Sequence, residues 1–378
     1  MTASVVRASA RWVDDFDTPI TIPDELASTG VEVTIDSTAV PFARATIRTQ
    51  DTVGPLQFGR RVDVVLQRSW HASEPVAALS ATYATVGTVS ADAPTVAYLT
   101  AAFGAALTDP ERLPARRVLH LAPVSISRST ATGETVLVAA SGEQLMLDYR
   151  LRRTAAITSG PSVRDAVRLA LGMAVGTTSL VVHGAVGYTV VSDDARAWAP
   201  GVSAWEFVTS ITASAGLRLW CDEVGTWHLA IAQTINNGTQ TIETDPDPMT
   251  YSETRDVTDE QGGVDTGYAD AVVVGYRWTA ADGTTRQQWD VAGDNAVGTR
   301  VLYFELDRPY PGPGEAAARL VKAQRRYSTA TVEAVIDPSV YVDRDTTLNV
   351  NTGRTGRAES VTWRVPEDVM TINLTEVG

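Results

Sequence analysis

A chain of 378 residues is too long for one ordinary hydrophobic core, and at roughly 150 residues per domain it calls for two or three. Its 31 Lys and Arg against 45 Asp and Glu leave a formal charge of −14 at pH 7, which repels phosphates and argues against specific nucleic-acid binding. One cysteine excludes an intramolecular disulfide and a thiolate metal cluster. No run approaches the roughly 20 apolar residues of a membrane span, so stable membrane insertion is not expected.

Arg7 and Arg11 interrupt the N-terminal apolar residues and three acids follow, so the start lacks the core of a secretory signal and synthesis in a cytoplasm is expected. With 28 Gly, 18 Pro and abundant Thr and Val, the composition is that of a mainly β chain rich in turns. The first 30 residues read as a lead-in without placeable strand pairing. From Val31 the signal sharpens: Val31, Val33 and Ile35 alternate with polar residues, then Ala43, Ala45 and Ile47 do the same, which describes half-buried antiparallel strands. Val62, Val64 and Leu66 give a third strand.

Between 69 and 114 the rhythm loosens, with a strand suggested at 79–89 and a short helix at 95–103, and this stretch reads as an insertion. Strands at 118–121, 124–128 and 135–140 follow, with Thr132-Gly133 as a hairpin turn. A short helix at 143–149 closes a first β domain over 1–155.

A middle α+β domain is expected over 156–245. Ser162 and Asp165 form a capping pair ahead of Val163, Ala166, Val167, Ala170 and Leu171, which share a helical face ending at Gly172. Ser203 and Glu206 have the spacing of a capping box, Val202 and Phe207 that of a hydrophobic staple, and Gly216 stands where a left-handed C-terminal residue is wanted. Leu217, Leu219 and Cys221 then alternate into a turn at 223–225, and 226–231 alternates back, so a helix packs on a hairpin. Cys221 reads as a small buried hydrophobe.

The polar turns at 236–238 and 245–248 mark the boundary to a second β domain over 246–378. Strands at 271–278 and 286–291 flank the turn 281–283. A helix is predicted at 315–327, and the end alternates through Val361, Trp363 and Val365, then Met370, Ile372 and Leu374.

Chemistry is sparse. His71, His120, His183 and His228 lie far apart, and none has a partner at zinc-ligand spacing. Nucleophile-elbow, metalloprotease and phosphate-loop motifs are absent, and no pair of acids stands out as a glycosidase pair. Trp205, Trp220, Trp227, Trp278, Trp289 and Trp363 all sit in periodic segments, where large rings usually build cores and interfaces. No catalytic, cofactor-binding or metal-ligating residue is assigned.

The segment Trp198-x-Pro200-Gly201-x-Ser203-Ala204-Trp205-Glu206-Phe207, with Ala215-Gly216-Leu217 and Gly225-x-Trp227, resembles the middle domain of bacteriophage tail hub proteins, often called minor tail proteins in actinobacteriophages. Val31-Glu32-Val33-Thr34 with Pro41-Phe42-Ala43-Arg44-Ala45-Thr46, and the Ser141-Gly142-Glu143 to Asp148-Tyr149 closure, look like their first tube-type domain. Ala269-Asp270-Ala271-Val272-Val273-Val274 is similar to the strand opening their later β domain.

The resemblance implies two tube-type antiparallel β-barrel domains flanking a small helix-plus-hairpin domain. It implies a homotrimer at the distal tip of a long non-contractile tail, adapting the six-fold tail tube to three-fold tip proteins and forming part of the DNA exit channel. The partners implied are the distal tail protein, the tape-measure protein and tip or receptor-binding proteins, in a virion component made in the bacterial host cytoplasm. Some relatives carry a peptidase or lysozyme domain, and with Gly378 close behind the last strands none is expected here. Two alternatives stand beside this reading: a carbohydrate-binding or glycan-hydrolysing β protein using the tryptophans, and a hexameric distal tail ring protein.

Overall fold

The computed structural model describes residues 3–13, 25–26, 28–50, 61–71, 115–156, 161–232, 235–242, 250–254, 268–280, 282–294, 300–325, 328–348 and 354–377. The first part of the chain forms β1 (Ala3–Val13), β2 (Glu25–Leu26), β3 (Ser28–Asp36), β4 (Ala43–Thr49), β5 (Arg61–His71), β6 (Ala115–Arg128), β7 (Thr135–Ala140) and the short helix α1 (Glu143–Asp148). The middle carries β8 (Ala155–Ala156), α2 (Val163–Ala174), β9 (Val181–Val182), β10 (Ala197–Trp198), α3 (Ala204–Ser214), β11 (Leu217–Cys221) and β12 (Trp227–Ile231). The last part holds β13 (Thr239–Ile242), β14 (Thr250–Thr254), β15 (Ala271–Thr279), β16 (Thr285–Gly293), β17 (Val301–Leu306), α4 (Glu315–Arg325), β18 (Thr329–Ala334), β19 (Asp345–Leu348), β20 (Arg354–Val365) and β21 (Val369–Thr375).

One 13-stranded sheet runs in the order β14-β18-β21-β20-β3-β4-β7-β6-β5-β1-β2, with β13 and β19 attached beside β20. Its seam is the antiparallel pairing of β20 with β3, where Trp363 faces Val33 and Val361 faces Ile35. Strands from both ends of the chain therefore bury one common core, from Ala10 through Leu137 to Trp363 and Val377. This corrects the expectation of two separately closed barrels. Among the described residues the path of paired strands is open, because β3 pairs with a strand of the C-terminal region.

Two further corrections fall in the same region. The lead-in contains β1, which pairs with β5 over its whole length, from Ala3 opposite His71 to Val13 opposite Arg61. The strands predicted at 118–121 and 124–128 are one strand, β6, whose register shifts between Pro123 and Ser125. Proline cannot donate to the ladder and is tolerated at such a bulge, so the gap between the two predicted strands is a bend within one strand. The insertion predicted from 69 onward lies outside the described residues beyond His71, together with its strand at 79–89 and helix at 95–103.

The middle region has its own core, built by α1, α2, α3 and the β11-β12 hairpin around Trp198, Phe207, Val208 and Leu229. Both predicted capping boxes form: the Glu206 amide donates to Ser203 Oγ at 3.1 Å, and the Glu206 carboxylate accepts from the Ser203 amide at 2.9 Å. Hydrogen bonds from the Ser203 backbone and side chain hold the Glu206 carboxyl below its ordinary value. Ser203→Ala should cost about 1 kcal/mol, read as a lower urea midpoint at unchanged slope. Gly216 follows α3 with φ 65°, as read from the sequence. α2, by contrast, runs past Gly172 to Ala174, because the residue that can turn left-handed is Gly176, at φ 80°.

A third, smaller core belongs to the sheet β16-β15-β17, whose inner face packs Val272, Val274 and Tyr276 against Ala316 and Ala323 of α4.

Candidate assembly surface and the junction that supports it

Where the middle region meets the large sheet, the tip of the β11-β12 hairpin does the joining. Asp222 Oδ1 accepts from the amides of Val224 at 3.1 Å and Thr226 at 2.7 Å, which shapes the turn and directs Glu223 toward the sheet. The Glu223 carboxylate takes Arg117 Nη1 at 2.7 Å and the hydroxyl of Tyr341, and its backbone carbonyl accepts from the His120 amide at 2.6 Å.

Arg117 is spoken for on every side. It donates to the carbonyls of Pro338 at 2.7 Å and Val340 at 3.3 Å, and its guanidinium lies 4.6 Å from the Tyr341 ring and 5.5 Å from that of Trp363. Burial pushes the Arg117 guanidinium below its ordinary value, against the opposing charge of Glu223. Burial and then the Glu223 charge push the Tyr341 hydroxyl well up, so it stays a donor. One carboxylate thus ties β6 and the loop that carries Tyr341 to the hairpin turn.

A second set of pins lies alongside. Asp343 pairs with Arg218 at 2.9 Å and with Arg357 at 3.3 Å, and Arg357 also donates to the carbonyl of Ile235. Glu143, at 1% exposure, accepts from Ser141 Oγ at 2.5 Å and from the Cys221 amide at 2.7 Å. Between these pins, α3 and α4 lies a cavity of about 460 Å³, with Trp205, Leu219, Arg218, Arg319 and Arg357 on its walls. Cys221 itself is buried, and burial followed by the nearby Glu143 carboxylate raises its thiol well above the ordinary value, which keeps it protonated and inert.

Burial raises the Glu143 carboxyl above its ordinary 4.5, while the Ser141 and Cys221 hydrogen bonds pull the other way. A carboxyl raised in the folded state supports folding fully below its unfolded value, and loses that support as pH climbs through the folded value. Glu143→Gln keeps an acceptor for Cys221 and offers a donor to Ser141 without the charge. The variant should therefore gain on the natural chain as pH rises from 4.5, read by urea unfolding at stepped pH.

The small sheet is anchored from the other side. Asp290 Oδ2 accepts from the amides of Gly314 at 3.0 Å and Ala316 at 2.9 Å, closing the N-terminus of α4. Beside it Glu315 accepts from Tyr276 at 2.6 Å and pairs with Arg308 at 2.5 Å and Arg319 at 2.8 Å. Burial alone would raise the Glu315 carboxyl, but Arg308, Tyr276 and Arg319 outweigh it and the net shift is downward.

The outer face of this sheet is bare. Register places Val291, Val273 and Tyr303 in one row, with Trp289 opposite Gly275 in the next and Val301 opposite Ala271 beyond. Trp289 is 42% exposed, Val291 52%, Val301 46% and Tyr303 40%, and the Trp289 and Tyr303 rings lie 5.7 Å apart. A Cβ on Gly275 would come within 2.5 Å of the Trp289 ring, so the glycine is what lets the indole lie flat on the sheet. Four large apolar side chains on one open face form the kind of patch that marks a contact surface.

The tryptophans therefore divide. Trp198, Trp205, Trp227 and Trp363 are buried, Trp220 and Trp278 are half-buried, and Trp289 is exposed, so the expectation of core and interface positions divides between them. Two of the histidines, far apart in sequence, come together in the fold. His183 and His228 meet, Nε2 to Nδ1 at 3.0 Å, because the parallel pairing of β9 with β12 brings together positions 45 residues apart. His120 instead bonds the buried Asp63 at 2.6 Å. Among the described residues no group of three or more His, Cys, Asp or Glu side chains is placed to hold a metal ion, and no helix is long and apolar enough to cross a membrane.

No known family profile matches the sequence, and no curated protein matches it. Solved structures do match in fold along the whole chain. The tail protein from Neisseria meningitidis MC58 superimposes with a TM-score of 0.53 at 11% identity, covering 98% of this chain and 96% of that one. The 43 kDa tail protein of prophage MuSo2 from Shewanella oneidensis gives 0.53 at 8% identity, covering 97% and 98%. The chain thus has the fold of phage tail proteins of similar length.

Proposed function

We propose that the chain is a non-enzymatic virion protein, the hub at the distal tip of a long non-contractile bacteriophage tail. It acts as a homotrimer that adapts the six-fold tail tube to three-fold tip proteins and lines part of the DNA exit channel. The observation that carries this reading is the end-to-end likeness of fold to the two tail proteins, which covers nearly all of this chain and nearly all of theirs. The bonded junction at Glu223 and Asp343 supports it, since an adaptor must hold its modules in fixed relation while forces pass through it. The net charge of −14 suits a channel along which DNA slides without sticking. Partners under this reading are the distal tail protein, the tape-measure protein and tip or receptor-binding proteins, with assembly in the bacterial host cytoplasm.

A three-fold ring is held by heterologous contacts, so each copy must offer a patch to a different surface of the next. The exposed face of β16-β15-β17 is the proposed patch. The mass of the purified chain in solution, alone and mixed with its neighbouring tail proteins, tests the reading: trimers or defined complexes are expected, and a monomer indifferent to those partners would overturn it. Val291→Arg should shift the mass toward monomer with an unchanged circular-dichroism spectrum, because the side chain is 52% exposed and contributes little to the fold.

A further inference from the structure

A set of side chains whose arrangement points to a small ligand lies on the outer surface of the β11-β12-β9 sheet. His183 follows directly on β9, and its amide donates to the carbonyl of Leu229 at 2.9 Å, which fixes its backbone against β12. His228 lies in β12 opposite Val181 and Trp220. The two imidazoles approach at 3.0 Å, Nε2 of His183 to Nδ1 of His228, with ring centres 5.2 Å apart and planes inclined by 25°. Asp222 Oδ2 lies 2.9 Å from the far nitrogen of His228, and the Trp220 ring stacks at 5.0 Å on His228 and 5.9 Å on His183.

We propose that His183 and His228 form a two-imidazole binding site for a divalent transition-metal ion of the zinc class, with Asp222 as the residue that positions His228. Three features carry this. In a tetrahedral site with zinc–nitrogen bonds of about 2.05 Å, two imidazole nitrogens on one ion lie about 3.3 Å apart and their ring centres about 5.2 Å apart. The ring centres are already at that separation along a nearly in-line hydrogen bond, so binding requires the nitrogens to open by a few tenths of an ångström and each ring to tilt by roughly 35° about its side-chain bonds.

The second feature is the carboxylate. Asp222 accepts the proton of His228 Nε2, which leaves Nδ1 as a lone pair aimed at His183; this carboxylate–histidine arrangement is the usual support of a metal-ligating imidazole. Asp222 is itself held by the Val224 and Thr226 amides through its other oxygen, so the chain of support ends in the backbone of a tight turn. Third, both imidazoles stand on paired backbone, so little ordering remains to be done on binding.

On coordination His183 carries its proton on Nδ1 and presents Nε2, the hydrogen bond between the rings is replaced by two bonds to the ion, and two water ligands complete the tetrahedron. The charged groups near the site include Asp222, Arg164, which donates to the carbonyl of Gly184 beside His183 at 3.4 Å, and Arg218, whose guanidinium lies 4.9 Å from the Trp220 ring on the neighbouring strand. The site rests on side chains apart from the assembly face, so it stands whether or not the hub reading does.

Isothermal titration of the chelator-treated full-length protein with zinc chloride at neutral pH is the test. One ion per chain is expected, with affinity falling at least tenfold in His183→Ala and in His228→Gln, and 10- to 100-fold in Asp222→Asn. His183 is exposed, so its replacement leaves the fold intact, and a circular-dichroism spectrum identical to that of the natural chain checks this. Absence of saturable binding, or one-to-one binding that persists in His183→Ala and His228→Gln alike, would overturn the assignment and leave the pair as a hydrogen bond only.

Discussion

Replacing Glu223 by Ala should lower the free energy of unfolding by about 3–5 kcal/mol, the range for removing one partner of a buried pair. Arg117 would keep its carbonyl partners but face a void where the carboxylate stood, and the Tyr341 hydroxyl would lose its acceptor. The side chains of Arg117 and Glu223 are 13% and 11% exposed, so water cannot restore what is lost. A surface ion pair would show well under 1 kcal/mol, and a loss that small on urea unfolding would contradict the junction described above. Replacing both partners, Arg117→Met with Glu223→Leu, should recover much of the loss, because no buried charge is then left alone.

Trp363→Ala is the second large effect, again about 3–5 kcal/mol. Its ring is fully buried in β20 opposite Val33 of β3, and its Nε1 donates to the carbonyl of Asp337 at 3.0 Å. The substitution opens a cavity at the seam where the two ends of the chain share one core. Protection of β4 and β7 amides against hydrogen exchange should fall together with that of β21, because these strands flank the seam. Loss confined to β20 and β21 would mean that the two β regions fold independently.

What the sequence could show was local. Capping boxes at Ser162 and Ser203 are written within four residues, and both form as read, as does the turn glycine at 216. The alternation through Val31 to Ile47 and Val361 to Leu374 has a period of two, and it sorts the buried from the outward residues of β3, β4, β20 and β21 correctly. Where two local signals competed, the error was small and physical: Gly172 was read as the end of α2, but the left-handed turn waits for Gly176.

What the sequence could not show was pairing at a distance. Nothing in Val33 or Trp363 says that they face each other across 330 residues, so two barrels were the natural expectation where one sheet exists. The same blindness hid the junction, since Arg117, Glu223 and Tyr341 come from three separate segments, each plausible as a solvated surface residue. It hid the histidine pair, because ligand spacing motifs look along one element and this pair is made by a two-residue parallel bridge between β9 and β12. For Trp289 the sequence left core and interface undivided. Strand periodicity says that a residue belongs to one face of a sheet, but not whether that face has a partner within the chain.

A sheet whose inner face is closed by α4 and whose outer face carries Trp289, Val291, Val301 and Tyr303 is complete as a fold and incomplete as a surface. A protein that works by assembly needs such a face, held rigidly relative to the rest of the chain. The Asp290 cap on α4 and the Asp194 contacts to Trp278 at 3.3 Å and Arg286 at 3.0 Å tie the small sheet to the middle module and set the direction it presents.

The most direct measurement is electron microscopy of the assembled tail with this chain marked by an antibody fragment. The hub reading predicts three marks in a single ring at the distal end, where the tube meets the tip. Six marks in a ring, marks spread along the tube, or a tail that carries none would contradict it.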